Sequence, residues 1–451
     1  MKRIFLIGIF IFAMLWIVSV KAQNMDLNQC IEYALKNNLS HTGQLLQSDI
    51  NKEAYYQSKR YFLPSVVAGS SANKRYGRSI DPTTNAFVNQ DFFSMNFYMD
   101  SQIDIFRGFT RVNRMKFQKL RYLISQEDIK QNEMETAFGV MNAYYDVLYF
   151  SNLYNIVKEQ LKLSELNRDK TKKLIDLGLK AESDLLEMNA QQASETHNLI
   201  KAENQREQAL LKLKKWMNYP IEEALSIADE AVETVSTLPP DAHDVYEVAL
   251  QHMPSVQRAN LEVEASRKNV AMIRGELAPR LTLGAGLNTN YADSRKELND
   301  PTNPGNQAMH TISFHDQWHQ NMAKSIYVSL QIPIFNRWNT QSYIKRAKLE
   351  RCLAINKQQE EQQNLYQLIN EDIQQINALH KEVQQLQAKK EALREAYTIA
   401  EKKLEQGLIN VIEFYTSKNQ LAQAETDLMR IQLQLKVKER TLRFYMGEKF
   451  N

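Results

Sequence analysis

The chain has 451 residues, of which 43% are hydrophobic and 24% charged, and its formal net charge at pH 7 is +3. This small charge gives no bulk electrostatic support for a nucleic-acid partner. Glycine and proline are scarce, at 13 and 10 residues, and the Gln, Glu, Lys, Leu and Ala that dominate the middle and end are typical of long helices. Cys30 and Cys352 occupy non-equivalent positions in predicted helices, which favours free thiols over a disulfide or a metal pair.

Residues 1–22 have the pattern of a secretory signal peptide. The basic residues Lys2 and Arg3 precede an almost wholly apolar stretch, Ile4–Val20, and small or tolerated residues end the segment. An uncleaved inner-membrane anchor is the alternative, because the apolar stretch is nearly long enough to span a bilayer. Cleavage removes three positive charges, including that of Lys21, and leaves a mature chain with a formal charge of about zero.

The first predicted repeat, residues 23–217, begins with a helix and continues with strands at about 64–76 and 92–105. The second of these strands is long, with one apolar face and one polar face that carries Asp100 and Asp104. A soluble strand averages 5–6 residues, so this length and pattern favour a transmembrane β-strand over a long strand of a soluble sheet. The alternating apolar positions are Phe93, Met95, Phe97, Met99, Ile103 and Ile105.

A long helix is predicted from Thr110 to Asp176, because this stretch contains no proline and its apolar residues follow the spacing of a coiled coil. At 1.5 Å per residue such a helix is about 100 Å long. Gly178 follows it and predicts a hairpin tip near 178, since glycine adopts positive φ without a steric clash. A returning helix then completes the first repeat at residue 217.

Residues 218–241 are predicted to form a linker, or equatorial segment, before a second repeat at 242–451. In that repeat, strands are predicted at about 280–292 and 324–335 and a hairpin tip near 407. The glycines of the two tips lie 229 positions apart (407 − 178), and a longer strand loop in the second repeat accounts for the growth of this offset along the chain. The duplication covers nearly the whole mature chain.

The predicted fold class is therefore a mixed membrane α+β protein with a duplicated helix-strand-strand-helix-helix repeat. Four strands cannot close a barrel, and an open sheet edge is not tolerated in lipid, so several protomers must each donate four strands. Three protomers give a trimeric 12-stranded β-barrel, continued by a long α-helical barrel. On this prediction the polar strand faces, with Asp100 and Asp104, line the lumen.

The chain resembles the TolC-like outer membrane efflux protein family. The resemblance covers roughly residues 25–447 and is carried by the duplication, the paired tips and two strand-to-helix junctions, Asp104-Ile-Phe-Arg-Gly108 and Ile332-Pro-Ile-Phe-Asn336. It implies a homotrimer in the outer membrane of a Gram-negative bacterium that extends into the periplasm. It also implies outer membrane lipid around the barrel, a periplasmic adaptor (membrane fusion protein) and an inner-membrane pump of the RND or ABC type.

The resemblance also implies roles for residues at the tips. Gly178, Leu179, Gly407 and Leu408 become adaptor contacts, and Asp184 and Glu413 become carboxylates at the pore entrance. The alternative for these two acids is a role in the first helical turn, where the macrodipole favours negative charge. The chain departs from some relatives at Ile409, where they carry a basic residue, and at Thr416, where they carry an acid.

The expected function is a passive trimeric exit duct, the outer membrane channel of a tripartite efflux or type I secretion system, gated at its periplasmic tip. No nucleotide-binding loop, nucleophile elbow or catalytic triad is recognisable, so no enzymatic activity and no cofactor are expected. His310, His315 and His319 in the second outer loop lack further ligands that would make a convincing metal site. The alternative function is a periplasmic coiled-coil scaffold or adaptor without a pore, and the cargo is not specified by the sequence.

Overall fold

The structure is a computed structural model that describes residues 23–80, 85–89, 91–228, 239–298 and 309–448. The predicted signal peptide at 1–22 lies outside the described residues, as does part of the predicted linker. Within the described ranges, none of the helices combines the length and apolar character that a membrane span requires. The α-helices are α1 (Leu27–Asn37), α2 (Leu39–Arg60), α3 (Thr110–Asp176), α4 (Glu182–Met217), α5 (Ala242–His252), α6 (Pro254–Arg274), α7 (Phe314–Gln320), α8 (Asn339–Glu405) and α9 (Val411–Tyr445).

The strands form one four-stranded antiparallel sheet and three small two-stranded pairs among the described residues. The order in the large sheet is β10-β7-β5-β2, and the small pairs are β1 with β6, β3 with β4, and β8 with β9. The strands are β1 (Gln23–Met25), β2 (Ser65–Arg75), β3 (Arg78–Ile80), β4 (Phe87–Asn89), β5 (Phe92–Arg107), β6 (Leu225–Ile227), β7 (Arg280–Ala292), β8 (Lys296–Leu298), β9 (Met309–Thr311) and β10 (Ala323–Gln331).

The chain divides into two compact units, and the first contains residues up to Ser48, Ser125–Asn260 and residues from Lys357 onward. Its core is built by apolar stripes of α3, α4, α8 and α9 that pack on the short helices α1 and α5. Tyr144 and Leu213 are fully buried in the part of this core that contains α1. The parallel pairing of β1 with β6 joins the start of the described chain to the predicted linker, and strands this short are not recognisable from sequence.

Helix breaks at two places divide the helices that precede the strands. Asn38 separates α1 from α2 with extended backbone angles, and its side-chain oxygen accepts a hydrogen bond from the backbone N–H of Ser40 at 2.8 Å. Met253 is extended in the same way before α6, because Pro254 disfavours a helical conformation of the residue that precedes it. Proline is tolerated as the first helical residue, since the N–H it lacks would have no partner there.

The second unit, Asp49–Ile124 with Leu261–Asn356, contains the large sheet. The register divides the sheet into a polar and an apolar face, because residues paired across strands point to the same side. On the polar face, Tyr98, Asp100, Gln102 and Asp104 lie opposite Asn288, Gly286, Gly284 and Thr282. On the apolar face, Met95, Met99, Ile103 and Phe106 lie opposite Tyr291, Leu287, Leu283 and Leu281.

Two strand boundaries differ from the predicted ones. The strand predicted at about 324–335 is β10, which ends at Gln331, because Pro333 has no N–H to donate to the ladder. The strand predicted at about 92–105 is β5, which continues to Arg107 after a register shift between Asp104 and Phe106. The strands predicted at about 64–76 and 280–292 correspond to β2 and β7.

The second outer loop, predicted at 293–322 between the strands of the second repeat, contains regular structure that was not predicted: β8, β9 and α7. A fully buried amide side chain, Gln317 of α7, fixes this segment to the end of β7. Its oxygen accepts a hydrogen bond from the N–H of Ala292, and its nitrogen donates to the carbonyls of Ala292 and Ile312, each at 2.9 Å. Because these bonds satisfy the buried amide, its burial carries little penalty.

Candidate functional site

Both predicted hairpin tips have the same backbone geometry. Gly178 and Gly407 have φ of +74° and +73°, in the left-handed region that favours glycine. At the first tip the N–H of Gly178 donates to the carbonyl of Ile175, and that of Leu179 donates to Leu174. At the second tip, Gly407 and Leu408 repeat this pair of hydrogen bonds, with Leu404 and Lys403 as the acceptors. Two Schellman motifs therefore end α3 and α8.

The two tips differ in how the next helix begins. At the second tip, the side-chain oxygen of Asn410 accepts a hydrogen bond from the N–H of Glu413 at 2.8 Å, and its amide nitrogen donates to Oε1 of Glu413 at 3.3 Å. At the first tip, Ala181 occupies the cap position and offers no side-chain hydrogen bond. Asp184 instead lies 3.9 Å from the ammonium of Lys180. Glu413 thus takes part in a capping motif, while Asp184 does not.

Large apolar side chains are exposed at both tips. Leu179 is 69% exposed and Leu408 is 67% exposed. Three more large apolar residues near the two turns have their side chains in solvent: Leu177, Leu186 and Ile412. Exposed apolar residues in such a cluster are typical of a protein-binding surface.

A buried polar cluster lies where α3, α4 and α9 pack together, further along these helices from the tips. Nζ of Lys418 lies 3.2 Å from Oε1 of Glu195 and donates to the carbonyl of Gln160 at 2.8 Å. In the same region, the Tyr415 hydroxyl accepts a hydrogen bond from Ser164 at 2.9 Å. Burial raises the pKa of Tyr415, so this hydroxyl stays protonated near neutral pH. These contacts join the returning helix of the second hairpin to both helices of the first.

This buried cluster was not predicted from the sequence, although α4 carries one signal for it. The buried residues of α4 include Met188, Glu195, Ala202 and Ala209, which recur at intervals of seven. A carboxylate at a heptad core position predicts a buried cation nearby, because an isolated buried charge is too costly. The identity of that cation could not be read from sequence, because Lys418 lies 223 positions away.

The structure places Asp100 and Asp104 on the polar face of the sheet, and it gives them different surroundings. Oδ1 of Asp104 accepts hydrogen bonds from Nε of Arg280 at 2.9 Å and from the hydroxyl of Thr282 at 3.0 Å. Arg107 lies 3.7 Å from its other oxygen. Asp104 is therefore held within an ion-pair network at the end of the sheet, whereas Asp100 is exposed.

The histidines of the second outer loop do not assemble a larger ligand set in the part of the chain that the structure describes. The rings of His315 and His319 lie edge to face at 4.7 Å, while Nε2 of His310 lies 3.2 Å from a carboxylate oxygen of Glu297. No group of three or more His, Cys, Asp or Glu side chains in the described ranges is arranged to hold a metal ion.

Comparison with known proteins identifies the family. The model of the outer membrane efflux protein family matches residues 31–218 and 245–448, which is most of the chain. The chain therefore belongs to this family. Its members are outer membrane channels of Gram-negative efflux systems that extend into the periplasm, and they are not enzymes.

Individual relatives are distant in sequence, and a solved structure of low sequence identity shares the fold. The chain is 21% identical over 412 residues to the probable efflux pump outer membrane protein TtgC of Pseudomonas putida, covering 89% of this chain and 79% of that protein. It is 24% identical over 206 residues to the pyoverdine export protein OpmQ of Pseudomonas aeruginosa, covering 44% and 41% of the two chains. The crystal structure of VceC from Vibrio cholerae superposes with a TM-score of 0.78 at 14% identity, covering 94% and 97% of the two chains.

Proposed function

We propose that three copies of this chain close a 12-stranded β-barrel in the outer membrane and form a passive exit duct for an efflux pump. The observation that carries the proposal is the open sheet with two free edges. Within the described chain, neither β2 nor β10 has a second strand neighbour in the four-stranded sheet. Unpaired backbone groups at such edges are costly in hydrocarbon, and pairing β2 of one copy with β10 of the next removes both edges.

The two faces of the sheet support this arrangement. The face with Ile103, Leu283 and Leu287 is suited to lipid, and the face with Asp100 and Asp104 is suited to a water-filled lumen. Three copies of each carboxylate would then line the channel. Asp104 contributes less free negative charge than Asp100, because Arg280 and Arg107 lie beside it.

The tips are proposed as the gated end that binds the periplasmic adaptor, with an inner-membrane pump as the source of energy. Leu179 and Leu408, next to Gly178 and Gly407, supply the exposed apolar surface that an adaptor would cover. Asp184 and Glu413 are the proposed carboxylates of the pore entrance. The capping contact with Asn410 leaves one oxygen of Glu413 for this role, and Lys180 reduces the local charge at Asp184.

The cargo class is proposed from the names of the relatives. Besides the pyoverdine export protein OpmQ, two relatives from Pseudomonas putida, each 21% identical over 412 residues, are named for the efflux of toluene and of an antibiotic. All three cargoes are small organic compounds, which supports small-molecule efflux here.

The oligomeric state tests the barrel. Protein extracted from outer membranes is expected to run as a detergent-stable trimer that dissociates on heating, and light scattering should give three chains per particle. A monomer that remains in solution after osmotic shock, without detergent, would overturn the proposal and favour the pore-free scaffold.

Ion selectivity in planar bilayers tests the pore entrance. Asp184→Asn combined with Glu413→Gln should lower the preference for cations, because rings of carboxylates favour cations in a pore. Glu182→Gln is the matched control, since Glu182 is another acid in the first turn of α4. Equal effects of the control and the double variant would show that the preference depends only on the overall charge of the tips and would remove Asp184 and Glu413 from the pore role.

A further inference from the structure

A cavity of about 910 Å³ lies in the second unit, beside the junction between the sheet and the helices. Its walls come from the end of β5 with the start of α3, from the end of α6, and from an early part of α8. The hydroxyl of Thr110 donates a hydrogen bond to the carbonyl of Met272 at 3.3 Å, which ties α3 to α6 at this position. We call it the basic cavity, and its charged and aromatic lining residues are Phe106, Phe109, Arg267, Arg274, Lys348 and Arg351.

The register shows which face of the sheet adjoins the basic cavity. Phe106 lines the cavity and pairs with Leu281 across the strands, so both side chains belong to the apolar face. Asp104 pairs with Thr282 on the opposite, polar face. The basic cavity therefore begins where the apolar face of the sheet ends. If the sheet crosses the membrane as proposed above, this position is the boundary between hydrocarbon and the periplasmic head groups.

Most of the positive charge of the basic cavity has no acidic partner within the described chain. Four cationic side chains line it, and no Asp or Glu does. Arg267 lies 3.8 Å from Glu264, an exposed contact. Arg274, Lys348 and Arg351 are exposed, and the structure gives them no ion pair or hydrogen bond to any described side chain. Some other cations of the same unit do have partners, as Arg121 has in Glu262 at 3.4 Å.

The remaining lining selects the chemistry of the ligand. Phe109 is 67% exposed, and together with Phe106, Val270 and Ile355 it gives the basic cavity an apolar wall. A ligand that fits both parts has an anionic head and an acyl chain. Guanidinium groups bind phosphate oxygens in a bidentate way, and lysine and arginine stems reach from apolar surroundings to charged head groups.

We propose that the basic cavity binds the phosphate head group of an anionic phospholipid from the inner leaflet of the outer membrane. The head group would contact Arg274, Lys348 and Arg351. The acyl chains of the lipid would lie against Phe106 and the adjoining apolar face of the sheet. This inference rests on the proposed membrane-spanning orientation of the sheet. Lipid bound here would anchor the start of α8 and the end of α6 at a fixed depth.

The first experiment measures lipid selectivity by native mass spectrometry of trimers released from nanodiscs of phosphatidylcholine with phosphatidylglycerol. The wild type should retain phosphatidylglycerol about fivefold or more over its share of the nanodisc lipid, and Arg274→Gln with Lys348→Gln and Arg351→Gln should abolish this enrichment. The control, Lys357→Gln with Lys381→Gln and Lys389→Gln, removes the same charge from exposed positions of α8 that do not line the basic cavity, and it should keep the enrichment. Equal enrichment in the two triple variants would overturn the proposal.

The second experiment uses the exposed thiol of Cys352, which lines the basic cavity. Cys30 does not interfere, because burial raises the pKa of its thiol to about 12. Phosphatidylglycerol in the nanodisc should slow maleimide modification of Cys352 severalfold relative to phosphatidylcholine alone. Equal modification rates in the two lipids would overturn the proposal. It would also be overturned if inorganic phosphate, added to the protein in detergent, slowed modification as much as phosphatidylglycerol does.

The two experiments separate this inference from the proposed function. Failure of the chain to insert into nanodiscs as a trimer would overturn the membrane-spanning barrel and the inference with it. Inserted trimers without phosphatidylglycerol enrichment would overturn the inference alone. If trimer assembly protects Cys352 equally in both lipids, the basic cavity is covered by a neighbouring copy of the chain. That result would also overturn the inference.

Discussion

The ammonium group of Lys418 lies 3.2 Å from a carboxylate oxygen of Glu195, and the two side chains are 5% and 4% exposed. This ion pair joins α9 to α4 and therefore couples the second hairpin to the first. Gln191 donates a further hydrogen bond to the same oxygen at 3.0 Å, while the other oxygen of Glu195 has no partner in the described chain. Burial lowers the pKa of Lys418 despite the attraction of Glu195, so desolvation is the larger effect.

Removal of one partner of this pair should be far more damaging than removal of both. Lys418→Met leaves Glu195 buried without a cation and should cost about 3–5 kcal/mol in the free energy of unfolding, whereas Lys418→Met with Glu195→Leu should be nearly neutral. Denaturant titration of the two variants measures this difference. Glu425→Gln is the control, because it removes the exposed pair with Arg394 and should cost less than about 1 kcal/mol. Equal losses in the single and double variants would contradict the coupling.

Stability should fall at high pH because of Cys30. Burial, with a smaller contribution from Asp26, raises the pKa of this thiol from 9.0 to about 12. Between these values the unfolded chain loses a proton that the folded chain retains, so deprotonation favours unfolding. The stability contributed by the neutral thiol is complete below pH 9 and is lost as the pH rises towards 12.

The measurement is a pair of denaturant titrations of the wild type and Cys30→Ala, at pH 8 and at pH 10.5. Between pH 8 and pH 10.5 the wild type should lose about 2 kcal/mol of unfolding free energy relative to Cys30→Ala. The loss accumulates at about 1.4 kcal/mol per pH unit above pH 9. Subtraction of the variant removes the contributions of all other titrating groups. If the difference in unfolding free energy stays constant with pH, Cys30 ionises in the folded protein as readily as in the unfolded chain, which would contradict the prediction.

Alanine should act in opposite directions at two glycines. Gly407→Ala should cost about 1–2 kcal/mol, because φ of +73° places a Cβ close to the carbonyl oxygen that follows it. Gly43→Ala, inside α2, should gain about 0.5–1 kcal/mol, since alanine is the better helix former. Neither site has another atom within 4 Å of the new Cβ, so backbone conformation alone separates them.

Amide hydrogen exchange of Gly407 and Leu408 measures the local effect at the tip, and the thermal midpoint reports Gly43→Ala. Gly407→Asn serves as the control for the tip, because asparagine tolerates positive φ and should lose less than alanine. Faster exchange in the asparagine variant than in the alanine variant would contradict the conformational argument.

The elements of the sheet and the tips were accessible from sequence because each depends on local patterns. The alternation from Phe93 to Ile105 has a period of two, and a glycine followed by a new helical pattern marks a tip. The burial of Lys418 could not be predicted from sequence. It lies in a helix rich in Gln, Glu and Lys, where a lysine is normally expected to face solvent. Its burial depends on α3 and α4 packing against it. The same limit applies to Gln317, whose burial is set by the end of β7.

The unequal starts of α4 and α9 give the last prediction. Asn410→Ala removes the side-chain cap of α9 and should cost about 1 kcal/mol, with faster amide exchange at Glu413, whose N–H loses its acceptor. Ala181→Asn adds a cap to α4 and should slow exchange at Asp184 by a comparable free energy. If the two tips open independently, each substitution changes exchange only at its own helix start. Equal changes at both starts from either substitution would instead show that the tips open as one unit, through the buried cluster that Met188 shares with Val411 and Phe414.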